Sequence, residues 1–179
     1  MPQKVKRTVR AVLEFKSQKK TDGEKIIILR IYLDNCCFNR PYDDQTYLRV
    51  YLETQAKIHI QGKIKNGELE LVTSYILVYE NFMSPFKSQK SAIDNFLRSY
   101  SSYHVGAEKA DKIAHIAKSI MATGVKMKDA HHLACALEAE CKYFLSTDDR
   151  LLKKYKSDTI LLLNPVDFVM YYDYDDGGL

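Results

Sequence analysis

Short apolar runs alternate along the chain with stretches of helical periodicity. Runs rich in β-branched and aliphatic residues predict strands at residues 26–33, 68–73, 143–146 and 159–163. Helices are predicted at residues 44–61, from 74 to the interruption at Pro85, at 88–100, 107–122, from 128 onward, within 148–155 and at 166–169. Strands that alternate with helices predict an α/β fold with a central, mostly parallel sheet covered on both faces.

Capping and turn residues mark several of these boundaries. Pro41 bars a helix at the residue before it and predicts a turn there. Asp44 and Ser74 are N-cap residue types at the starts of predicted helices. Gly62 and Gly124 stand where helices are predicted to end, because glycine favours the left-handed conformation that closes a helix.

The two ends of the chain differ from the domain that residues 30–170 are predicted to form. Residues 1–29 make a basic N-terminal extension in which residues 8–15 alternate like a strand and Thr21-Asp22-Gly23 signals a turn. This extension is interpreted either as a hairpin with residues 26–33 or as a flexible arm. Residues 171–179 form an acidic, aromatic C-terminal tail, interpreted as a frayed end.

Composition narrows the class of protein. A chain of 179 residues is long enough for one domain with a substantial core. No apolar run approaches the roughly 20 residues of a membrane helix, and no secretory signal is evident, so we expect a cytoplasmic protein without membrane contact. The four cysteines form no Cys-x-x-Cys pair, which favours buried free thiols over a structural zinc site.

Acidic residues stand at or soon after the ends of the apolar runs. They are Asp34, Glu80, Asp129 and Asp149. The carboxyl ends of parallel strands form the ligand crevice of an open α/β sheet, and carboxylates gathered there require a cation. Oxygen ligands of this kind suit Mg²⁺ or Mn²⁺, and the formal net charge of +4 suits a polyanionic partner. The pattern therefore predicts metal-assisted phosphodiester chemistry.

Five segments in this order resemble the motifs of PIN domains. They are RIYLDNCCFNRP (30–41), SYILVYE (74–80), KDAHHLACA (128–136), FLSTDDR (144–150) and NPVDF (164–168). The resemblance covers about residues 30–170 and is nearest to the VapC-type toxins of bacterial toxin–antitoxin pairs. The chain departs from the pattern at Asn35, where many members have Thr or Ser, and in its N-terminal extension.

The resemblance implies a PIN-like, three-layer α/β/α fold and a function. By position, Asp34, Glu80 and Asp129 are the core metal-binding acids, and Asp149 is the fourth, with Asp148 as its rival. The implied function is a Mg²⁺-dependent endoribonuclease that hydrolyses RNA phosphodiester bonds by metal-activated water, with Mn²⁺ as a substitute ion. It would be the toxin of a type II toxin–antitoxin pair, a homodimer with a cognate antitoxin.

Other residues receive supporting roles. By the resemblance, Thr147 orients a carboxylate or a metal-bound water. His132 is interpreted as a hydrogen-bonding core residue rather than a metal ligand, and His131 as exposed. The residues predicted to line the RNA path are Arg40, Tyr42, Arg150, Lys153, Lys154 and Lys156.

Two other functions stay open at this point. One is a non-catalytic PIN-like module that binds nucleic acid or protein, favoured by the uncertain fourth acid and the basic extension. The other is a metal-dependent phosphatase of a different α/β class, although the segment after Asp34 lacks the Asp-x-Asp pattern that one such class uses.

Overall fold

Five parallel strands form the sheet at the centre of residues 28–175, the part of the chain that this computed structural model describes. The strands are β1 (Leu29–Leu33), β2 (Leu69–Ser74), β3 (Ser101–Val105), β4 (Tyr143–Leu145) and β5 (Leu161–Leu163). Their order across the sheet is β3-β2-β1-β4-β5, and every neighbouring pair is parallel. The predicted parallel sheet is confirmed.

Helices flank this sheet and complete a three-layer α/β/α fold. They are α1 (Asn35–Asn39), α2 (Leu48–Lys65), α3 (Tyr75–Phe82), α4 (Lys87–Tyr100), α5 (Ala110–Met121), α6 (Met127–Glu138), α7 (Asp149–Lys154) and α8 (Pro165–Asp175). This arrangement of helices around a parallel sheet confirms the predicted fold class.

Within residues 28–175, no helix is both long enough and apolar enough to cross a membrane.

Strand register brings the carboxyl ends of three strands to one edge of the sheet. Leu33 of β1 lies opposite Leu145 of β4, and Tyr32 lies opposite Val72 of β2. The backbone N–H of Asp34 donates to the Leu145 carbonyl at 2.9 Å, which continues the pairing beyond the strand. The chain leaves β1 with β2 on one side and β4 on the other, and this is the switch point where open α/β sheets bind ligands.

Aromatic side chains anchor the core beneath that edge. Tyr32 and Phe144, on adjacent strands, stack with ring centroids 5.4 Å apart and are fully buried. Tyr143 meets Phe168 of α8 edge to face at 5.0 Å, so the last helix packs against the sheet. Because aromatic pairs of this kind bury large apolar areas, the strands that support the carboxylates are held rigidly.

The first long helix begins and ends later than predicted, at Leu48–Lys65. Asp44 does not cap it, because its Oδ1 accepts hydrogen bonds from the backbone N–H and the hydroxyl of Thr46 and so closes a turn. Gly62 lies inside the helix rather than after it. The chain reverses at Gly67, whose φ of +74° is accessible to glycine at little cost.

Two elements do not emerge from the sequence pattern. The strand β3 has the polar sequence SSYHV and lies at the sheet edge, where it is half exposed and lacks the apolar alternation of a strand signal. The helix α1 has five residues, too few for a helical period to show. It forms because Asp34 caps it, its side chain accepting a hydrogen bond from the Asn35 backbone N–H.

The last helix is longer than predicted. It spans Pro165–Asp175 instead of residues 166–169. Phe168 stacks on Tyr172 at 5.3 Å, and this contact carries the helix into the predicted tail. The predicted extension over residues 1–29 lies outside the described part of the chain except for Ile28 and Leu29, as do residues 176–179 of the predicted tail, so the domain boundaries stay a prediction.

Lys57 of α2 is a buried ammonium and supplies a stability prediction. The side chain is 7% exposed, and burial lowers its pKa from the usual 10.5 to about 8. At pH 7 the folded protein therefore holds a charge that the unfolded chain solvates better. We expect Lys57→Met to raise the free energy of unfolding at pH 7 by about 1–3 kcal/mol, measured by urea denaturation.

The pH dependence of this gain follows from the sign of the shift. The folded pKa lies below the unfolded one, so the cost of burying Lys57 is complete below pH 8 and fades as the pH rises toward 10.5. The advantage of Lys57→Met should fade over the same interval. The control is Lys118→Met at an exposed position of α5, expected to change stability by less than about 0.5 kcal/mol. An equal effect of both substitutions at pH 7 would contradict this account.

Candidate metal centre

Three side chains from different elements converge beyond the carboxyl ends of β1 and β2. They are Asp34, which follows β1, Glu80 in the second turn of α3, and His132 in the second turn of α6. Each offers one ligand atom, and these atoms all lie within 4.8 Å of one another. We refer to Asp34, Glu80 and His132 as the three-ligand cluster.

Asp34 is held by donors on both of its oxygens. Oδ1 accepts from the backbone N–H of Asn35 at 2.7 Å, and Oδ2 accepts from the hydroxyl of Ser146 at 2.9 Å and the thiol of Cys36 at 3.2 Å. The residue is 8% exposed. The carboxylate is therefore fixed at the mouth of the sheet rather than free to rotate.

Glu80 faces two nitrogen atoms. Its Oε2 lies 3.1 Å from His132 Nε2, and its Oε1 lies 2.5 Å from the ammonium of Lys128. The Glu80 side chain is only 7% exposed, whereas that of Lys128 is 68% exposed. A buried carboxylate needs a positive partner, and for Glu80 that partner is the ammonium of the largely exposed Lys128.

His132 is oriented by a chain of hydroxyl groups. Its Nδ1 lies 2.7 Å from the hydroxyl of Tyr32, which in turn lies 2.7 Å from the hydroxyl of Ser74. The imidazole is 1% exposed, and burial lowers its pKa, which favours the neutral ring. The predicted core role of His132 is thus present, yet the same ring also points Nε2 toward Glu80.

Asp129 lies in the first turn of α6, one helical turn before His132. Burial raises its pKa, and the negative charges of Asp34 and Asp148 raise it further. Asp129 is therefore close enough to both carboxylates for their charges to disfavour its ionised form. A cation among them would remove that repulsion and favour the ionised forms.

The two rival acids after β4 have different environments. Asp149 receives a two-pronged ion pair from Arg49, at 2.7 and 2.8 Å, and the guanidinium lowers the pKa of that carboxyl. Asp148 caps α7 through Oδ1, which accepts from the Arg150 backbone N–H at 2.8 Å. Of the two, Asp148 is the acid that raises the pKa of Asp129.

An open cleft of about 520 Å³ lies beside Asp148 and Asp149, and its lining does not include Asp34, Glu80 or Asp129. Its lining residues are Cys36, Arg40, Arg49, Val50, Thr147, Asp148, Asp149 and Arg150. Arg40 and Arg150, two of the residues predicted to contact RNA, both line this cleft. Thr147 contributes its backbone, donating to the sulfur of Cys36 at 3.3 Å and accepting from Arg49 at 3.3 Å.

The remaining residues predicted to contact RNA lie on the surface around this cleft. Tyr42 is 51% exposed in the turn after α1. Lys153 and Lys154 are exposed in the last turn of α7, and the side chain of Lys154 covers Gly124. Lys156 is exposed, and its ammonium donates to the Leu152 carbonyl at 2.6 Å. Their roles in binding stay predictions.

The donor set fits a divalent cation. Carboxylate oxygens dominate it, and both Glu80 Oε1 and His132 Nε2 are buried atoms without a well-oriented hydrogen bond among residues 28–175. Octahedral ligands of one small cation lie about 3 Å apart when adjacent and about 4.2 Å when opposite, so the three ligand atoms would move closer together on binding. All four cysteines are free thiols, and three of them are buried, as the sequence predicts.

Comparisons with known proteins find no matching family and only distant structural similarity. No protein-family model matches the chain, and no curated protein matches it. One similar solved structure is VapBC2 from Rickettsia felis bound to a DNA fragment from their promoter, at 14% identity and a TM-score of 0.47, covering 76% of this chain and 98% of that one. Another is FitAcB from Neisseria gonorrhoeae, at 17% identity and a TM-score of 0.48, covering 75% and 97%. Identities this low leave the chemistry to be argued from the residues present.

The sequence gives little indication that four residues belong to the site. Ser146 has a signal, since it directly follows β4 at the same sheet edge as Asp34. His132 has a partial signal, its spacing from Asp129 on one helix face. Lys128 and Arg49 have none, because a charged residue on a helix surface is usually only solvated.

Proposed function

We propose that this chain is a divalent-cation-dependent endoribonuclease of the PIN type and the toxin of a toxin–antitoxin pair. The observation that carries the proposal is the convergence of Asp34, Glu80 and His132, with Asp129 close by, at the switch point of a parallel sheet. The order of the five sequence motifs around this edge supports the PIN assignment.

The acids would hold the cation. We assign Asp34, Glu80 and Asp129 as its core carboxylates and favour Asp148 over Asp149 as the fourth, because Arg49 already neutralises Asp149. Mg²⁺ is the ion predicted from the sequence, with Mn²⁺ as a substitute. When bound, such an ion acidifies a coordinated water and offsets negative charge that develops on a phosphate.

The chain's own residues would position the RNA. Arg40, Arg49 and Arg150 line the cleft beside the acids, and guanidinium groups match the geometry of phosphate oxygens. Arg49 is held by Glu53 at 2.9 Å as well as by Asp149, so its guanidinium is already engaged and it would add positive charge rather than a direct phosphate contact. Contacts of guanidinium groups with phosphates position the RNA backbone but do not recognise the base sequence.

An antitoxin and a second subunit would have apolar surface to bind. Two helices and the residues next to them expose large hydrophobic side chains: Tyr47 before α2 with Leu48, Tyr51 and Leu52 in it, and Tyr79 and Phe82 in α3 with Met83 directly after it. Exposed hydrophobic side chains close together in sequence on one helix favour protein–protein contact. These residues support both proposed partners, a second copy of the chain and an antitoxin, but do not indicate which partner binds which helix.

A non-catalytic binding module is the second candidate, and one observation favours it. The chain supplies its own cations to two of the predicted acids, Lys128 to Glu80 and Arg49 to Asp149. A site neutralised in this way could be structural. Calorimetric titration would distinguish the two: the module would bind RNA or protein but neither Mg²⁺ nor Mn²⁺.

The proposed activity is tested by the products it leaves. The wild-type chain, incubated with an end-labelled single-stranded RNA, should cut it only when Mg²⁺ or Mn²⁺ is present, and EDTA should stop the reaction. Attack by water leaves no cyclic phosphate, whereas attack by the ribose hydroxyl does. Metal-independent cutting, or products that end in cyclic phosphate, would contradict the proposal.

A further inference from the structure

We propose that His132 is a direct ligand of the metal, so that the site takes a transition-metal dication such as Mn²⁺ in preference to Mg²⁺. This inference rests on the proposed function for the existence of a metal site and deepens it by naming the ion. Its basis is that His132 Nε2 shares the three-ligand cluster with Asp34 and Glu80, within 4.8 Å.

The imidazole points Nε2 toward the acids, and Glu80 is the partner within contact distance of that atom among residues 28–175. That atom is buried and 3.1 Å from Glu80 Oε2, yet it makes no well-oriented hydrogen bond in the described region. Without a metal, this nitrogen of a residue that is 1% exposed would have only the poorly oriented contact with Glu80. Buried polar atoms of that kind are costly unless something binds them.

The hydroxyl chain behind the ring supports the tautomer that ligation requires. The Ser74 hydroxyl oxygen accepts from the Leu77 backbone N–H at 3.1 Å and has a second lone pair for Tyr32, 2.7 Å away. If Tyr32 donates to Ser74, its oxygen accepts from His132 Nδ1–H, and Nε2 keeps its lone pair toward the carboxylates. Outer hydrogen bonds of this type fix the orientation of metal-ligating histidines.

Lys128 shows that the same position already attracts positive charge. Its ammonium contacts Glu80 at 2.5 Å while most of its side chain is exposed, so it can move away without unpacking the core. A bound dication would replace it. The combination of carboxylates with one imidazole then decides the class of ion, because Mg²⁺ favours oxygen ligands and water, whereas transition metals bind imidazole readily.

The test measures coordination directly, without RNA. Mn²⁺ is added to the full chain, and pulsed electron paramagnetic resonance records whether a nitrogen nucleus couples to the bound ion. We expect nitrogen coupling in the wild type, changed by nitrogen-15 histidine, and absent in His132→Gln. His131→Gln is the matched control, because His131 is the adjacent histidine and bonds to the Met127 carbonyl at 2.7 Å; it should keep the signal.

Affinity gives the second readout. By calorimetry the wild type should bind Mn²⁺ at least about tenfold more tightly than Mg²⁺, and His132→Gln should weaken Mn²⁺ binding by at least about tenfold. Bound Mn²⁺ without histidine coupling would overturn the inference and leave the proposed nuclease intact. Wild-type protein that binds neither ion would overturn both. The isotope experiment needs no variant, so the inference stays testable if His132→Gln does not fold.

Discussion

Asp34→Asn is expected to reduce RNA cleavage by about 10²- to 10⁴-fold while the fold stays intact. The loss follows because the carboxylate is central to the three-ligand cluster, and metal stabilisation of a transition state is worth several kcal/mol. Asparagine caps a helix about as well as aspartate, so α1 should still form through the Asn35 N–H. Initial rates of cleavage and a thermal melt, measured on the same preparation, check the two parts.

The control for this substitution is Asp111→Asn. Asp111 is an exposed acid in the first turn of α5, so its change removes one negative charge far from the cleft. Cleavage by this variant should stay within about twofold of the wild type, because exposed charges away from a site contribute little. If Asp34→Asn cleaved RNA as fast as Asp111→Asn, Asp34 would have no part in the chemistry.

Glu53→Ala is expected to destabilise the protein by about 3 kcal/mol, because it breaks a buried ionic network. The Glu53 side chain is 2% exposed and contacts Arg49 at 2.9 Å, Arg40 at 2.7 Å and Asn164 at 2.6 Å. It thus joins α2 to the turn after α1 and to the start of α8. A loss of this size corresponds to a decrease of about 6–12 °C in Tm.

Two comparisons isolate the effect of Glu53. Asp94→Ala removes a similar carboxylate from a helix pair, with Arg98 at 2.8 Å, but that pair is exposed and should cost less than about 0.5 kcal/mol. Glu53→Gln keeps the size of the side chain and an oxygen for Asn164, so its cost should lie between the two. Equal Tm values for Glu53→Ala and Asp94→Ala would show that the buried network does not stabilise the fold.

The alternation of strands and helices was enough to predict the sheet, since parallel strands are buried on both faces and read as apolar runs. The edge strand β3 was not predicted, because a half-exposed strand can carry polar residues and then lacks an apolar pattern. A helix end differs from its predicted position where a side chain can close either a turn or a helix. Asp44 accepts a hydrogen bond within a turn instead of capping the helix.

The candidate site was predictable where residues follow a strand and unpredictable where they depend on packing. Asp34 follows β1, and the acids after β4 follow from the same logic. Whether Asp148 or Asp149 faces the acids depends on Arg49, which lies 100 residues away in sequence. The position of His132 Nε2 depends equally on Tyr32, a contact that spans 100 residues.

The measurement that tests the nuclease assignment most directly is cleavage of a mixed pool of tRNA and messenger RNA. Wild type, Asp34→Asn and Asp129→Asn are incubated in parallel with Mg²⁺, Mn²⁺ or EDTA, each protein shown to be folded and free of bound inhibitor. We expect the wild type to cut at discrete positions when metal is present, either variant to cut at least about a hundredfold more slowly, and no protein to cut in EDTA. Intact RNA in every wild-type reaction would contradict it and favour the binding module.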